Sequence, residues 1–356
     1  MGAGHDAVAG ELARRLRATG HQVLVRDVLT LLPPGAGPAV RSFYRFSVRH
    51  APAVYEAIYA LFLEPAGGRA RAGRSGTAPH RPDVSPLAAL AERRLAALVA
   101  GWRPDVVVST FHLAGQITGR LRAAGRLRVP SAVFVTDFAV HRAWLDPGND
   151  LYLCVTETAA EAVRAATGRP AAAPGPVVPP EFHPPLGAAR PSWTTGPPAV
   201  LLSAGAWGVG PGLPDTAGRL AAHGCRPVVL CGHDRRLRAR AARLPGVVAL
   251  GWVRDMPGLL ASVRLLVDNA AGQTAVQALA ARLPVIGHRP LVGHGAAGVR
   301  AMAEAGLCVF APRPADLLAA VDRLAPPGTA RTAAVSAGAG VFRADAARLV
   351  VELAGE

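Results

Sequence analysis

The chain contains no lysine: all 39 of its basic residues are arginine, and with only 24 Asp and Glu they give a formal net charge of +15. Without lysine the chain can form no lysine Schiff base and has no P-loop lysine to reach a terminal phosphate. Covalent amine catalysis and Walker-type ATP hydrolysis are therefore excluded. The excess charge fits a nucleic acid, an anionic membrane or a phosphorylated ligand as partner. The alternative is GC-rich codon usage, which the presence of only three isoleucines also indicates.

Cysteine is also scarce, and long apolar runs are missing. The four cysteines form no CxxC pair and no metal-ligand spacing, which argues against a disulfide framework and against a structural zinc site. No apolar run approaches the ~20 residues of a membrane-spanning helix, and the start of the sequence does not look like a secretory signal. We expect a cytoplasmic chain that neither spans a membrane nor is exported.

The second half of the 356 residues alternates short apolar runs with amphipathic segments. Unbroken apolar runs, each followed by a helix, are typical of a parallel sheet covered on both faces. This pattern predicts a doubly wound α/β domain. Its strands are expected at residues 199–203, 227–231, 247–252, 265–268, 284–287 and 307–310.

The first half repeats this alternation less regularly, with predicted strands at residues 22–28, 105–109, 131–136 and 150–155. Proline-rich sequence separates the halves. We therefore expect a first domain over residues 1–180, a linker over 181–198 and a second domain over 199–356.

The first strand of the first domain is missing from this pattern. The sequence opens Met1-Gly2-Ala3-Gly4-His5 and enters a helix directly. In a wound sheet the first strand is usually central, and a typical strand has ~5 to 6 residues. Either the true start lies upstream or the chain lacks a core strand, and we expect the first.

Three loops rich in glycine or small residues are candidate sites. Gly4 and His5 open a helix, either as a tight turn or with His5 as a general base at the mouth of an interdomain cleft. The loop at 203–210 follows a strand and suits a diphosphate, although its glycines do not have the dinucleotide spacing. The loop at 269–274 opens a helix whose N–H groups suit phosphate oxygens.

Thr136-Asp137-Phe138, followed by His141 and Trp144, resembles the TDFxxHxxW segment of monogalactosyldiacylglycerol synthases and the related processive diacylglycerol glucosyltransferases. The opening helix resembles that family's GGGH loop and helix. In the second half, residues 251–256, 269–279 and 293–306 follow its donor-domain pattern.

The resemblance implies a GT-B fold, with two Rossmann-like domains facing across a cleft, the first taking the acceptor and the second a UDP-sugar. It implies an inverting transfer of galactose or glucose to diacylglycerol or a similar membrane lipid. No metal or other cofactor is expected to be obligatory, because helix N-termini and cationic side chains can balance the leaving diphosphate. A transferase for a soluble secondary metabolite and a non-catalytic, membrane-binding relative remain alternatives.

The same resemblance assigns His5 to activation of the acceptor hydroxyl. It assigns Gly4, Asp137, His141 and Trp144 to the acceptor side, with a purely structural His141–Trp144 pair as the alternative. The residues assigned to the donor are Gly205, Trp207, Gly208, Gly232, Trp252, Val253, Ala271, Gly272, Gln273, Thr274 and Gln277.

Three positions depart from the family's pattern. Gln277 stands where the family has a Glu that accepts hydrogen bonds from both ribose hydroxyls, Gly298 where relatives carry Asn, and Val292 where they carry Pro. Glutamine keeps one acceptor oxygen and puts an amide donor in place of the other. Weakened donor binding, by about 1 to 3 kcal/mol, is the expected result.

Residues 38–63 hold six of the 18 aromatic residues, and three arginines fall on one helical stripe. Aromatic and arginine faces side by side fit a helix lying in an anionic lipid interface, and a core helix with a solvated arginine stripe is the alternative. We expect peripheral attachment to the inner face of the membrane and no nucleic-acid partner. The predicted membrane residues are Arg41, Phe43, Arg45, Phe46, Arg49, Tyr55 and Tyr59.

Overall fold

A computed structural model of the chain describes residues 3–63, 86–184, 196–203 and 212–355. It divides into two compact units, one of Met1–Gly175 with Ala344–Glu356 and one of Pro176–Arg343, called here the first and the second unit. The described part of each unit contains one parallel sheet with helices.

The first unit contains a four-stranded sheet in the order β1-β2-β3-β4, with every pair parallel. All five residues of β2 are buried, as an apolar strand covered on both faces should be. The strands are β1 Val107–Ser109, β2 Ser131–Val135, β3 Leu151–Cys154 and β4 Ala171–Ala172. The helices are α1 Ala3–Ala18, α2 Ala36–His50, α3 Pro52–Ile58, α4 Pro86–Trp102, α5 His112–Ala123 and α6 Glu157–Thr167.

The predicted strand at residues 22–28 is wrong. Residues 22–26 form no strand pair, and Val28–Leu31 is a 3₁₀ turn. The Asp27 carboxylate accepts the Leu29 N–H at 3.0 Å and so begins this turn. Extended, apolar sequence becomes a strand only where a neighbour supplies backbone hydrogen bonds, and none of the described strands pairs with these residues.

The second unit contains a six-stranded parallel sheet in the order β10-β9-β8-β5-β6-β7. The strands are β5 Ala199–Ser203, β6 Arg226–Leu230, β7 Val248–Leu250, β8 Leu265–Asp268, β9 Val285–Gly287 and β10 Val309–Phe310. The helices are α7 Leu213–Ala222, α8 Arg235–Ala241, α9 Met256–Ser262, α10 Gln273–Ala280, α11 His294–Glu304, α12 Pro314–Leu324 and α13 Thr329–Gly340. Every residue of β5 and β8 is buried, so the doubly wound prediction is confirmed here.

The end of the chain returns to the first unit, which differs from the predicted second domain of 199–356. Helix α14, Ala346–Ala354, packs on α1 and buries Ala346, Ala347 and Val350. Asp345 caps α14 by accepting the Ala347 N–H at 3.0 Å, and its Oδ1 lies 3.1 Å from Arg15 Nη1 on α1. The amphipathic face of α14 therefore finds its partner in the first unit.

The start of the second unit also differs from the predicted linker. The unit begins at Pro176, where Val177 and Val178 are buried, and Pro180–Phe182 is a 3₁₀ turn. No strand forms at residues 176–178 in the described chain.

Candidate functional site

His5 lies in the first turn of α1, where it contacts the loop after β1 and the end of β2. Its Nδ1 is 2.9 Å from the Thr110 carbonyl oxygen and 3.1 Å from Thr136 Oγ1. Thr110 Oγ1 donates back to the His5 carbonyl oxygen at 3.3 Å. These contacts tie the start of α1 to the carboxyl ends of two strands, the edge at which open α/β sheets bind ligands.

The hydrogen bonds of His5 fix its useful tautomer. A carbonyl oxygen only accepts, so Nδ1 carries the proton in this geometry and Nε2 is the ring nitrogen that can accept one. Phe111 and Trp144 hold the imidazole in place, with ring centroids 5.0 and 6.0 Å away. The arrangement suits a neutral imidazole acting as a base through Nε2.

Asp137 is the buried anion of this cluster. Its Oδ2 accepts the Trp144 Nε1–H at 2.8 Å and lies 3.4 Å from His141 Nε2, while Thr136 Oγ1 donates to Oδ1 at 3.3 Å. Thr136 thus links the carboxylate to Nδ1 of His5. Asp137 acts on His5 through that hydroxyl and is a positioning residue in this geometry.

Burial separates the predicted acceptor residues. Trp144 is 0% exposed and His141 is also buried, so both side chains close the cluster around Asp137. This geometry favours the structural His141–Trp144 pair over direct acceptor contact. Gly4 and His5 are half-buried at the start of α1 and remain the predicted acceptor contacts.

Sequence reasoning missed Thr110, Phe111 and His112. They follow β1 directly, and the His112 ring packs on those of His141 and Trp144 at 5.2 and 5.9 Å. Their position directly after a predicted strand could have indicated them, because every strand-to-helix loop of a parallel sheet lies at the edge where ligands bind.

In the second unit the predicted donor residues follow β6, β7 and β8. Gly232 comes shortly after β6, and Trp252 and Val253 follow β7. The Trp252 ring is 54% exposed and stacks on that of His233, with centroids 4.6 Å apart and planes 7° from parallel. An exposed aromatic surface of this kind can bind a flat base. Sequence reasoning missed His233.

The loop from β8 to α10 is organised by Asp268. Its Oδ2 accepts the N–H groups of Ala270 and Ala271 at 2.9 and 2.6 Å, and Ala271 adopts a positive φ of 50°. Burial raises the pKa of Asp268. The turn leads through exposed Gly272 into the first residues of α10, Gln273 and Thr274. The positive end of the α10 dipole favours an anion there.

Two of the departing positions lie beside this loop. Gln277 is half-buried one turn into α10. A Cβ at Gly298 would stand 3.2 Å from the Ala271 Cβ, which is closer than nine in ten real Cβ contacts. The absence of a side chain at residue 298 therefore fits the tight approach of α11 to the loop.

His288 and Arg289 follow β9 and were not predicted. With Ser203, Asp268 and Asn269 they line a small cavity at the carboxyl end of the sheet. Burial lowers the pKa of His288, and its Nδ1 lies 2.5 Å from the Ala311 carbonyl oxygen. Arg289 pairs with Asp215 at 3.0 Å, which places a cation in the cavity wall beside the loop that follows β8.

Part of the predicted site lies outside the described residues. Gly205, Trp207 and Gly208 fall in residues 204–211. In the membrane segment, the side chains of Arg45, Arg49 and Tyr55 are likewise outside the description.

Of the described side chains predicted to meet the membrane, three are exposed to solvent and one is buried. Phe43 and Phe46 are 53% and 58% exposed, and Arg41 is exposed and pairs with Asp27 at 2.5 Å. Tyr59 is only 8% exposed, so its assignment to the membrane face is wrong. Its ring belongs to the packed interior because the other face of the segment is the solvated one.

Among the residues that the structure describes, no group of three or more His, Cys, Asp or Glu could hold a metal ion. Within the same ranges, no helix combines the length and the apolarity that crossing a membrane requires.

Known proteins resemble this chain over one or both units. Residues 5–172 match the family model described as monogalactosyldiacylglycerol (MGDG) synthase. A processive diacylglycerol β-glucosyltransferase of Bacillus subtilis (strain 168) is 24% identical over 247 residues, which cover 66% of this chain and 64% of that protein. The chain spans about half to two thirds of the length of the first such relatives.

Two solved structures match nearly the whole chain. Os79 from O. sativa, crystallised in complex with UDP, superposes with a TM-score of 0.61 at 14% identity, covering 100% of this chain and 98% of its own. Acinetobacter baumannii MurG superposes with a TM-score of 0.59 at 16% identity, covering 99% of this chain and 96% of its own. At such identities the likeness concerns the fold.

The resemblance to the MGDG synthase and diacylglycerol glucosyltransferase family is therefore confirmed. The predicted fold class, GT-B with two Rossmann-like domains, is confirmed as well.

Proposed function

From this family relationship, we propose that the chain is a glycosyltransferase that moves a hexose from a UDP-sugar to diacylglycerol or a similar membrane lipid. The observation that carries the proposal is the His5 cluster. It lies within the matched residues 5–172 and gives a neutral imidazole a defined proton-accepting nitrogen. The names of the relatives support diacylglycerol as the acceptor.

The reaction follows from the chemistry of the two sites. His5 Nε2 takes the proton of the acceptor hydroxyl, and the hydroxyl oxygen forms a bond to the anomeric carbon of the sugar. The bond from that carbon to the diphosphate breaks, and its electron pair leaves with UDP. Attack opposite the leaving group inverts the anomeric configuration.

The second unit would hold the donor. The Trp252–His233 stack offers a flat surface for uracil, and the start of α10 offers dipole stabilisation to the diphosphate. Arg289 adds a cation near the β8–α10 loop. These groups would stabilise the charge that develops on the leaving diphosphate.

The first unit would bind the membrane surface from the inner face. Phe43 and Phe46 are exposed apolar side chains, and the nearby Arg41 suits anionic headgroups. Liposomes containing anionic lipid should bind the chain less well when Phe43 and Phe46 are both changed to alanine. The Val248→Ala variant, changed at an exposed apolar residue of the second unit, is the control and should bind normally.

The activity test offers radiolabelled UDP-galactose and UDP-glucose with liposomes that contain diacylglycerol. We expect a labelled glycolipid from one or both donors, and turnover lower by ~10² to 10⁴-fold in His5→Ala with UDP binding retained. His223→Ala, which removes a surface histidine of the second unit, is the matched control. Absence of product together with intact liposome binding would support the non-catalytic alternative, and product only with a soluble acceptor would overturn the lipid assignment.

A further inference from the structure

Helix α8 of the second unit concentrates arginine on its surface. Residues 235–243, which are α8 and the turn after it, contain five arginines and no acidic residue. Leu237 and Ala241 are buried and anchor the helix, whereas all five arginines are exposed. These five residues are called here the α8 arginine surface: Arg235, Arg236, Arg238, Arg240 and Arg243.

A general excess of arginine in the chain does not explain this surface, because arginines on other helices of the unit are paired with acidic side chains. On α7 Arg219 lies 3.2 Å from Asp215, and at the start of α12 Arg313 lies 2.6 Å from Asp316. Between residues that the structure describes, the guanidinium groups of the α8 arginine surface form no ion pair and no side-chain hydrogen bond. Ion pairs of the described chain therefore leave the charge of α8 unbalanced.

The arrangement of these arginines opposes the stability of α8 itself. Arg236 and Arg240 are one turn apart, and like charges at that spacing repel each other. Arg235 and Arg236 stand in the first turn, where the positive end of the helix dipole disfavours a cation. Asp234 offsets part of this cost, because its Oδ1 accepts the N–H groups of Arg236 and Leu237 at 2.9 and 3.0 Å. An anionic surface bound from outside would relieve the remaining repulsion.

Three of the arginines form a row that suits a surface with many negative charges. Arg236, Arg240 and Arg243 are spaced i, i+4 and i+7, so they share one side and span ~10 Å along the helix axis. Clusters of about four to eight basic residues on a helix are typical of contacts with anionic lipid. Residues 235–243 include no aromatic side chain on which nucleic-acid bases could stack, which favours lipid head groups over a single strand.

We propose that the α8 arginine surface is a membrane-binding surface of the second unit, which binds the phosphate groups of anionic lipids. It is separate from the contact proposed for Phe43 and Phe46 of the first unit, and it requires neither the sugar donor nor the acceptor. Guanidinium groups donate paired hydrogen bonds to phosphate oxygens, so the surface recognises the charge of the head group and not the acyl chains. Binding through it weakens as salt is added and is lost on neutral lipid.

The test measures vesicle binding in a chain whose first-unit contact has been removed. The starting chain carries Arg41→Gln, Phe43→Ala and Phe46→Ala. The vesicles consist of phosphatidylcholine, either alone or mixed with phosphatidylglycerol, and contain no diacylglycerol. We expect the starting chain to bind the mixed vesicles at low salt and the neutral vesicles at least about tenfold more weakly. Equal binding to both, or no binding to the mixed vesicles, would overturn the proposal.

A triple variant of the starting chain then locates the charge. Arg236→Gln, Arg240→Gln and Arg243→Gln together should weaken binding to the mixed vesicles by at least about tenfold and flatten its dependence on salt. Arg235 and Arg238 are kept, because they lie nearer to the Trp252 loop. Unchanged affinity for UDP shows that the second unit of the triple variant is still folded.

The matched control removes the same charge elsewhere in the second unit. Arg300→Gln, Arg323→Gln and Arg343→Gln change three exposed arginines outside α8 and should weaken vesicle binding by about threefold or less. Equal losses in the two triple variants would mean that only net charge matters, and would overturn the surface. A loss confined to binding of an RNA oligonucleotide would overturn the lipid assignment. None of these measurements requires glycosyl transfer, so their failure is distinguishable from failure of the proposed function.

Discussion

The sheets of the two units differ in how well their strands are covered. In the second unit β5 and β8 each have a strand on both sides and are buried throughout. In the described part of the first unit β1 pairs with β2 only, and Val107 and Val108 are half-buried beside a cavity between α1, β1 and α4. Both units nevertheless present their candidate residues at the carboxyl ends of strands. The location of a site thus follows from the winding of the sheet, whereas its rigidity depends on how complete the sheet is.

This difference matters for the two halves of the proposed reaction. The donor-side helix α10 starts from a complete sheet, and Asp268 fixes the preceding loop by backbone hydrogen bonds. His5 lies in the first turn of α1, and α1 lines the cavity beside β1. The base is held there by polar contacts with Thr110 and Thr136 and by the rings of Phe111 and Trp144.

The largest expected effect is on stability. One substitution in the sheet of each unit compares how much each sheet contributes. Leu201→Ala, at a fully buried residue of β5, should lower the free energy of unfolding by about 3 to 4 kcal/mol. Val108→Ala, on half-buried β1, should cost about 1 kcal/mol or less. Denaturant unfolding of the two variants measures both, and equal losses would contradict the comparison.

A half-buried ion pair of the first unit, between Arg122 and Asp150, gives the next effect. Asp150 Oδ1 accepts from Arg122 Nη2 at 2.6 Å, and Oδ2 accepts the Ser131 N–H at 2.8 Å. Burial alone would raise the pKa of Asp150, but these hydrogen bonds outweigh it and hold that pKa below its usual value. Asp150→Asn should cost about 2 kcal/mol at pH 7.

The pH dependence of that variant has a defined sign. A lowered folded-state pKa contributes stability that is complete above the ordinary Asp pKa of ~3.9 and is lost as the pH falls through the lower folded-state pKa. The difference between the original chain and Asp150→Asn should therefore be full at pH 7 and shrink below about pH 4. Asp322→Asn, which removes a carboxylate that is 64% exposed and pairs with His223 at the surface, is the control and should change stability by at most a few tenths of a kcal/mol. A difference that is as large at pH 2 as at pH 7 would contradict the assignment.

Removal of the Thr136 hydroxyl, which lies between Asp137 and His5, should have a smaller effect, and that effect should be on catalysis. Thr136→Val should lower kcat by about tenfold with KM for the donor unchanged, because His5 Nδ1 loses its contact with the Thr136 hydroxyl. The pH profile of kcat should shift as well, which loss of packing alone would not cause. Thr19→Val, at an exposed threonine of α1's end, is the control. An unaltered profile would remove Thr136 from the positioning network.

The smallest expected effect belongs to the second unit. Gln277→Glu should tighten UDP binding by about fivefold to tenfold, because a second acceptor oxygen becomes available to the ribose. Gln273→Glu, one turn earlier at the start of α10, should weaken binding instead because it puts an anion beside the diphosphate. Calorimetric titration with UDP measures both. Equal affinity of Gln277→Glu and the original chain would mean that residue 277 does not face the ribose.

The sequence was most informative where the sheet is complete. β5 and β8 coincide with the predicted 199–203 and 265–268, because a buried parallel strand is an unbroken apolar run whatever its partners. Residues 22–28 have a shorter apolar run, Val23–Val25, and form no strand. Whether a segment forms a strand depends on the neighbouring strand as well as on the segment itself. The composition of the segment does not show which strand will lie beside it.

The candidate site was predictable only in part for a similar reason. Asp137, His141 and Trp144 belong to one short motif, so the resemblance found them together. His112 and His233 were missed because they join their clusters through tertiary contacts alone. Tyr59 was assigned wrongly because an aromatic stripe does not reveal which face of a helix the rest of the unit covers.

The return of α14 to the first unit has a consequence for biosynthesis. Residues 344–356 follow the whole second unit in the sequence, yet they belong to the first unit, where α14 packs on α1. The whole second unit must therefore be synthesised before α14 can pack on α1. The second unit, in contrast, is one continuous segment and can fold before residues 344–356 are made. The His5-bearing unit is therefore completed only after the second unit has been synthesised, and deletion of residues 344–356 would be felt at α1.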